Sequence, residues 1–465
     1  MPNNLMTKRP TTLIVFGITG DLVKTKLLWA LFNLFLQGKL PKKDFLVLGL
    51  SRRDWDDNDL RAHLEKIMIE EGFPRKSLWN DFLAIFSYFK ADFTCPSSFV
   101  DLAKRVRKID RQASSCTNKL YYLAVSPHFY QTILVGLKEN NLVVTCNNSS
   151  WTRIALEKPF GQDLPTAKKL DQLLGSLFAE NQVYRIDHYL AKENLRNILA
   201  LRFDNTFLTP IWNKQFIDKV EVRLWEKEKV ADGRTAFYDG LGALRDVGQN
   251  HLLQFLALLT MDQPQDSSSG AIRKTRAKAL KNLAILSPGQ VEKKTVRAQY
   301  DGYRNQLGVK KNSSTETYFK ISTSFSDGNL AGVPLILEAG KAMKKNLVEA
   351  KVFFKQPSKC FHQSFSCQNV LVYRIKPRKT IFLTLLVKQP GFADRLSEAK
   401  MSFDYRANFS GEKFASDYEK LLLDILIGDQ TLFVSTDEVM AQWRFVEPII
   451  KAWRQGKPKI TVKNI

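Results

Sequence analysis

The sequence predicts an α/β region built on a doubly wound parallel sheet, followed by an α+β region with a large, mostly antiparallel sheet. Three observations carry that expectation. Strand, helix and strand patterns succeed one another between Thr12 and Leu50, and buried-strand signatures recur at Leu120–Ala124 and Trp151–Leu156. Longer runs that alternate apolar with polar residues begin only beyond residue 215. At 465 residues the chain exceeds what one hydrophobic core organises, so two domains are expected, over 1–186 and 187–465.

The first strand, Thr12-Leu13-Ile14-Val15-Phe16-Gly17, is a short apolar run stopped by glycine, as in a strand covered on both faces. From Asp21 onward, Leu22, Leu27, Leu28, Leu31, Leu34 and Leu36 recur at mixed three- and four-residue spacing, which predicts a helix ended by Gly38 and Pro41. Phe45-Leu46-Val47-Leu48-Gly49-Leu50 completes a βαβ unit, and that connection implies parallel pairing. Helical periodicity from Phe129 to Leu137 lies between the two later strands, extending the wound region to about residue 160. Farther along, Lys219–Leu224 and Val370–Ile375 alternate as antiparallel strands do, and a helix over Arg245–Leu259 should pack on them.

Composition narrows the partners. A hydrophobic content of 44% with only 23 Gly and 17 Pro excludes disorder and low complexity. Lys and Arg number 70 against 47 Asp and Glu, a net charge of +23 that favours acidic ligands. The basic clusters Arg273–Lys278 and Lys293–Arg297 have no interleaved aromatics, so they read as solvated faces and nucleic acid is not the expected partner. The apolar runs Leu252–Met261 and Leu421–Ile427 fall short of the roughly 20 residues that span a bilayer. Lys8 and Arg9 precede too short an apolar stretch for a secretion signal. Cysteines at 95, 116, 146, 360 and 367 are too few for a disulfide scaffold and lack zinc-site spacing, so no metal and a reducing cytoplasm are expected.

Gly17-Ile18-Thr19-Gly20-Asp21-Leu22 lies where a phosphate-binding turn belongs, between strand and helix. Gly17 permits the turn, Gly20 lets the backbone come close, and the helix N-terminus offers N–H groups to a pyrophosphate. This is a Rossmann-like arrangement, with Gly17, Thr19, Gly20, Asp21 and Leu22 as the cofactor turn. The second strand ends in Ser51-Arg52-Arg53. A carboxylate there would pair with a ribose 2′-hydroxyl, whereas an arginine accepts a 2′-phosphate, so Arg52, assisted by Arg53, favours NADP, and Asp54 leaves room for NAD. Among five histidines, His188 and His251 sit in unusually polar segments, Arg185–Glu193 and Asp246–His251. Removing a proton from a hydroxyl whose carbon loses hydride needs a base with a near-neutral pKa and a carboxylate to support its charged form. One segment can supply the histidine and the other the aspartate. His63, His128 and His362 lack such company and read as structural.

Taken with Glu157-Lys158-Pro159-Phe160-Gly161, these segments make the chain resemble the glucose-6-phosphate dehydrogenase family nearly end to end, as far as Gly428–Phe433 and Trp443. Ala191 replaces a glycine within the stretch that begins at Arg185. The resemblance implies oxidation of glucose 6-phosphate at C1 to 6-phosphogluconolactone with NADP, the first step of the oxidative pentose phosphate pathway. It implies His251 as general base, oriented and supported by Asp187, with His188, Tyr189 and Lys192 on the sugar phosphate. Lys158, placed by a cis bond to Pro159, would reach substrate and cofactor, and Asp246 and Lys341 would bind the sugar. A homodimer or dimer of dimers through the large sheet is also implied. The family's sugar-binding glutamate maps near Trp225-Glu226-Lys227-Glu228, where Lys227 takes the ungapped position; Glu226 is chosen and Glu228 is the alternative. Further departures stand at Glu338, Asn346 and Lys376, where the family has an arginine, a basic residue and a glutamine. They leave a related hexose phosphate, or a weakly active relative that binds an acidic partner, as the alternative readings.

Overall fold

Thr11–Phe16 is buried along its whole length and forms β1, an interior strand of the first sheet. A computed structural model describes residues 9–40, 44–145, 149–359, 367–393, 395–412 and 414–463; His362, Cys146 and Cys360 lie outside these. The chain divides into two compact units, one running to Ala191 and including Ala415–Thr436, the other comprising Lys192–Phe414 and the residues from Asp437 onward.

In the first unit, β1 pairs in parallel with β2 (Phe45–Ser51), which pairs with β3 (Phe86–Lys90). On its other side follow β4 (Asn118–Leu123), β5 (Thr152–Glu157) and β6 (Val183–Ile186), all parallel. The order β3-β2-β1-β4-β5-β6 is that of the doubly wound dinucleotide-binding sheet. The predicted first helix is π-helical over Val23–Leu27 and continues as Leu28–Leu36. Tyr130–Glu139 answers the predicted helix between the later strands.

A single boundary after residue 186 does not describe this unit. The helix Asp417–Ile427, capped by Ser416, returns to it, and Asn33 donates to Glu419 at 2.9 Å. Phe433–Val434 then adds an antiparallel strand beside β6. The apolar run Leu421–Ile427 is what makes the helix return: Leu421, Leu422 and Ile425 are each at most 1% exposed.

The second unit is organised by a nine-stranded sheet. Its strands are β7 (Ile217–Trp225), β8 (Thr295–Tyr300), β9 (Tyr318–Ser324), β10 (Pro334–Gly340), β11 (Leu347–Phe354), β12 (Val370–Lys376), β13 (Thr380–Lys388) and β14 (Leu396–Asp404), with Thr461–Lys463 at one edge. Pairing is antiparallel except between β7 and β10 and between Thr461–Lys463 and β8. The predicted helix begins one residue early: Leu244–Leu252 is π-helical and Leu253–Thr260 continues it.

Among the described residues no helix is long and apolar enough to cross a membrane. Cys95 is free and exposed, while Cys116 and Cys367 each take part in a disulfide of their own.

Candidate functional site

The first unit gathers its candidate residues at the carboxyl ends of parallel strands, where open α/β sheets bind ligands. Gly17 follows β1 with φ +88°, and a Cβ there would lie 2.6 Å from the Ala124 carbonyl oxygen. Its N–H donates to Leu50 at 2.9 Å and its carbonyl receives Gly20 N–H at 3.0 Å, which closes the turn through Ile18 and Thr19. Val23 N–H then donates to Gly20, so the helix starts from this turn, just after Asp21 and Leu22. A side chain at Gly17 has no room, and the backbone is thereby left bare toward the helix start, as a pyrophosphate requires.

At the end of β2 the two arginines differ. Arg53 lies 4.8 Å over the Trp55 ring, and its carbonyl accepts the Tyr88 hydroxyl at 2.7 Å. Arg52 is exposed, with Asp92 as a charged neighbour. Asp54 is bonded to Lys90 at 2.8 Å, and that ammonium holds its carboxyl below the usual range. Asp54 therefore has a cationic partner at the surface, and of the two arginines it is Arg53 that is stacked on an aromatic ring.

Lys158 leaves β5 where Asp187 leaves β6, since Glu157 and Ile186 are register partners on adjacent parallel strands. The Lys158-Pro159 bond is cis. Glu157 Oε1 accepts the hydroxyls of Tyr122 at 2.6 Å and Tyr418 at 3.2 Å, and Tyr130 donates to the Glu157 carbonyl at 2.8 Å. Burial pushes the Glu157 carboxyl up to about 7, against the pull of the two hydroxyls and Lys158. Asp187 is 1% exposed and its Oδ1 accepts Tyr189 N–H at 3.0 Å, which fixes the start of the His188-Tyr189 turn. The His188 ring lies parallel to that of Tyr418, 6.5 Å away, and edge-on to Tyr189 at 5.2 Å. Reading the sequence did not find Glu157 as a hub, or Tyr418, which arrives from the distant C-terminal helix.

In the second unit, Lys192 stands at the N-cap position of the helix Glu193–Phe203. Strands β7 and β10 run in parallel with Trp225 opposite Gly340, so Glu226 and Lys341 emerge side by side. Lys341 Nζ lies 2.6 Å from Glu226 Oε2, 3.7 Å from Asp246 Oδ2 and 5.6 Å from the centroid of the buried Tyr238 ring. The flanking turns are zipped together: Glu226 N–H donates to Gly340, Met343 N–H to Glu226, and Lys227 N–H to the side chain of Asn346. Glu228 turns instead to Asn346 Nδ2, at 3.1 Å. Of the two glutamates left open by the sequence, Glu226 is therefore the one that joins Lys341 and Asp246. His251 is 2% exposed on the π-helical stretch that also carries Asp246.

The departures from the family pattern have local partners. Glu338 accepts Tyr318 at 2.8 Å and pairs with Arg223 at 3.3 Å. Asn346 replaces a charge with the clamp just described, and Lys376 precedes a cis proline.

Residues 14–197 match the family described as glucose-6-phosphate dehydrogenase, NAD binding domain, and residues 199–463 match glucose-6-phosphate dehydrogenase, C-terminal domain. The chain is 36% identical to glucose-6-phosphate 1-dehydrogenase of Borreliella burgdorferi over 95% of its own length and 91% of that protein's. It is 33% identical to the cytoplasmic isoform from Solanum tuberosum, over 96% of its length and 87% of that protein's. Among solved structures, it is similar to a glucose-6-phosphate dehydrogenase in complex with its substrate glucose 6-phosphate, with a TM-score of 0.89 and 31% identity over 99% of this chain and 96% of that one.

Proposed function

The chain belongs to the glucose-6-phosphate dehydrogenase family, and from that premise we propose that it oxidises glucose 6-phosphate at C1 to 6-phosphogluconolactone with NADP. The observation that carries the reading is that Asp187, His188, Lys192 and His251 all stand in a chain similar to such enzymes over nearly its whole length.

His251 removes the proton of the C1 hydroxyl as that carbon becomes a carbonyl, and Asp187 orients the ring and supports the imidazolium. His188, Tyr189 and Lys192 hold the phosphate dianion, and Lys158 reaches both substrate and cofactor. Glu226, Asp246 and Lys341 bind sugar hydroxyls, and their mutual ion pairs keep the three side chains in place before substrate arrives. Gly17, Thr19, Gly20, Asp21 and Leu22 would hold the cofactor's pyrophosphate, Arg52 its 2′-phosphate, and Lys158 its reactive end. Bound NADP supplies the hydride acceptor. Measuring NADPH formation by absorbance with purified protein and glucose 6-phosphate tests cofactor, substrate and chemistry together, and no reduction with that sugar would overturn the reading.

Two expected results separate the binding roles. Arg52→Ala should weaken NADP by about 1.5–3 kcal/mol, roughly ten- to a hundredfold, and barely change NAD. Equal losses for both cofactors in a titration would make Arg52 structural. Lys192→Ala removes a charge that holds substrate both before and during reaction, so steady-state kinetics should show chiefly a raised KM. A pure loss of kcat would remove Lys192 from the phosphate site.

A homodimer or dimer of dimers belongs to the same proposal. Its support is an apolar groove of about 820 Å³ on the second unit, lined by Phe207, Phe216, Phe382, Met401 and Phe403, which suits a second copy. A cytoplasmic location is proposed on the likeness to the potato isoform.

A further inference from the structure

We infer that Glu316 is a positioning residue for the reaction, its buried carboxylate pinning the first turn of the helix that carries Asp246 and His251. The inference rests on the assignment of the base to His251 made above. A helix leaves its first N–H groups without partners of its own. Here Glu316, in the loop just before β9, meets two of them. Its main-chain carbonyl accepts Ala243 N–H at 2.9 Å, and its Oε1 accepts Leu244 N–H at 3.0 Å. A carboxylate in that place also faces the positive end of the helix.

The surrounding chain is shaped to admit it. Gly242 has φ +80°, and a Cβ there would lie 2.5 Å from Glu316 Cδ, so any larger residue would displace the carboxylate. Farther along the helix, a Cβ at Gly248 would lie 2.7 Å from the Phe319 ring, so the helix rests directly on the start of β9. Glu316 is 7% exposed; burial pushes its carboxyl up, while the Leu244 N–H, Arg245 and Arg297 draw it down. The next residue extends the role. The Thr317 carbonyl accepts Lys341 N–H at 2.9 Å, so one short segment sets the backbone of the base-bearing helix and of the sugar-binding lysine.

Cap removal should therefore act on catalysis as well as stability, because Asp246 follows the pinned turn by two residues and His251 lies in the same π-helical stretch. A misplacement of about 1 Å at a reacting group costs on the order of a hundredfold in rate. With folding verified by circular dichroism, Glu316→Ala should lower kcat by roughly ten- to a hundredfold and raise KM for glucose 6-phosphate, while KM for NADP stays unchanged. Glu316→Gln, which keeps an oxygen for Leu244 N–H, should restore most of the rate. Gly242→Ala should reproduce the defect, and the double variant with Glu316→Ala should be no worse than either single one, as expected for two changes to one contact.

Normal kcat and KM in folded Glu316→Ala, additive losses in the double variant, or a Gln variant as impaired as Ala would each overturn the inference. Should Glu316→Ala not fold, Gly242→Ala alone decides, and normal kinetics there overturns it. The base assignment fails separately: it falls if His251→Asn turns over normally, whereas normal turnover in Glu316→Ala beside an inactive His251→Asn removes only the positioning role.

Discussion

Replacing His251 by Asn is expected to lower turnover of glucose 6-phosphate by about 10²–10⁴-fold with little change in KM. Asparagine keeps a planar polar group of similar reach in a position only 2% exposed, so neighbouring packing survives. What it cannot do is accept a proton near neutral pH. In the proposed mechanism substrate binding is the work of other side chains, above all Lys192, His188 and the paired Glu226, Lys341 and Asp246, and so should persist. Because the free enzyme's base sets the acid limb of kcat/KM against pH, that limb should vanish in the variant. Asp187→Asn should behave like His251→Asn and unlike Lys192→Ala, since a neutral amide cannot support an imidazolium. Near-normal turnover in His251→Asn, measured by steady-state NADPH formation, would remove this mechanism even with the fold intact.

The local signals in the chain explain which parts of this arrangement could be read without coordinates. Strands covered on both faces, such as Thr11–Phe16, announce themselves as continuous apolar runs. β6 does not, because Val183–Ile186 spends one of its four residues on Arg185, a charge buried against Asp171 at 2.8 Å and Glu180 at 3.0 Å. β3 was missed for a related reason: Phe86–Lys90 is short and mixes Ser87 and Lys90 with its aromatics. The glycine turn and the two histidine segments were legible because their chemistry lies in contiguous residues. Tyr418 and Glu316 were not, because each acts on a partner far away in sequence, Glu157 in one case and Leu244 in the other. No period or spacing reports such a pairing, and only folding brings the partners together. The return of Ala415–Thr436 to the first unit was hidden likewise, since an amphipathic helix states that it has a buried face and not what covers it.

Glu438→Gln should destabilise the second unit by about 3–5 kcal/mol, the cost of breaking a fully buried ion pair from one side. Arg276 and Glu438 are both 0% exposed, joined by Nε to Oε1 at 2.8 Å and by a second guanidinium nitrogen to Oε2 at 3.2 Å. The pair ties the helix Ser269–Lys281 to the first turns of Thr436–Arg454. Removing the carboxylate charge takes away a charge that offsets the desolvation of a buried guanidinium, which cannot lose its proton. The pair itself is not a large net source of stability. Replacing both residues together, Arg276→Met with Glu438→Leu, should be close to neutral or stabilising, because neither charge then has to be buried. Urea denaturation followed by fluorescence measures both variants. A Glu438→Gln protein with unchanged midpoint and slope would show that water or another group reaches Arg276, and a double variant as unstable as the single one would show that packing around the pair, and not the uncompensated charge, sets the loss.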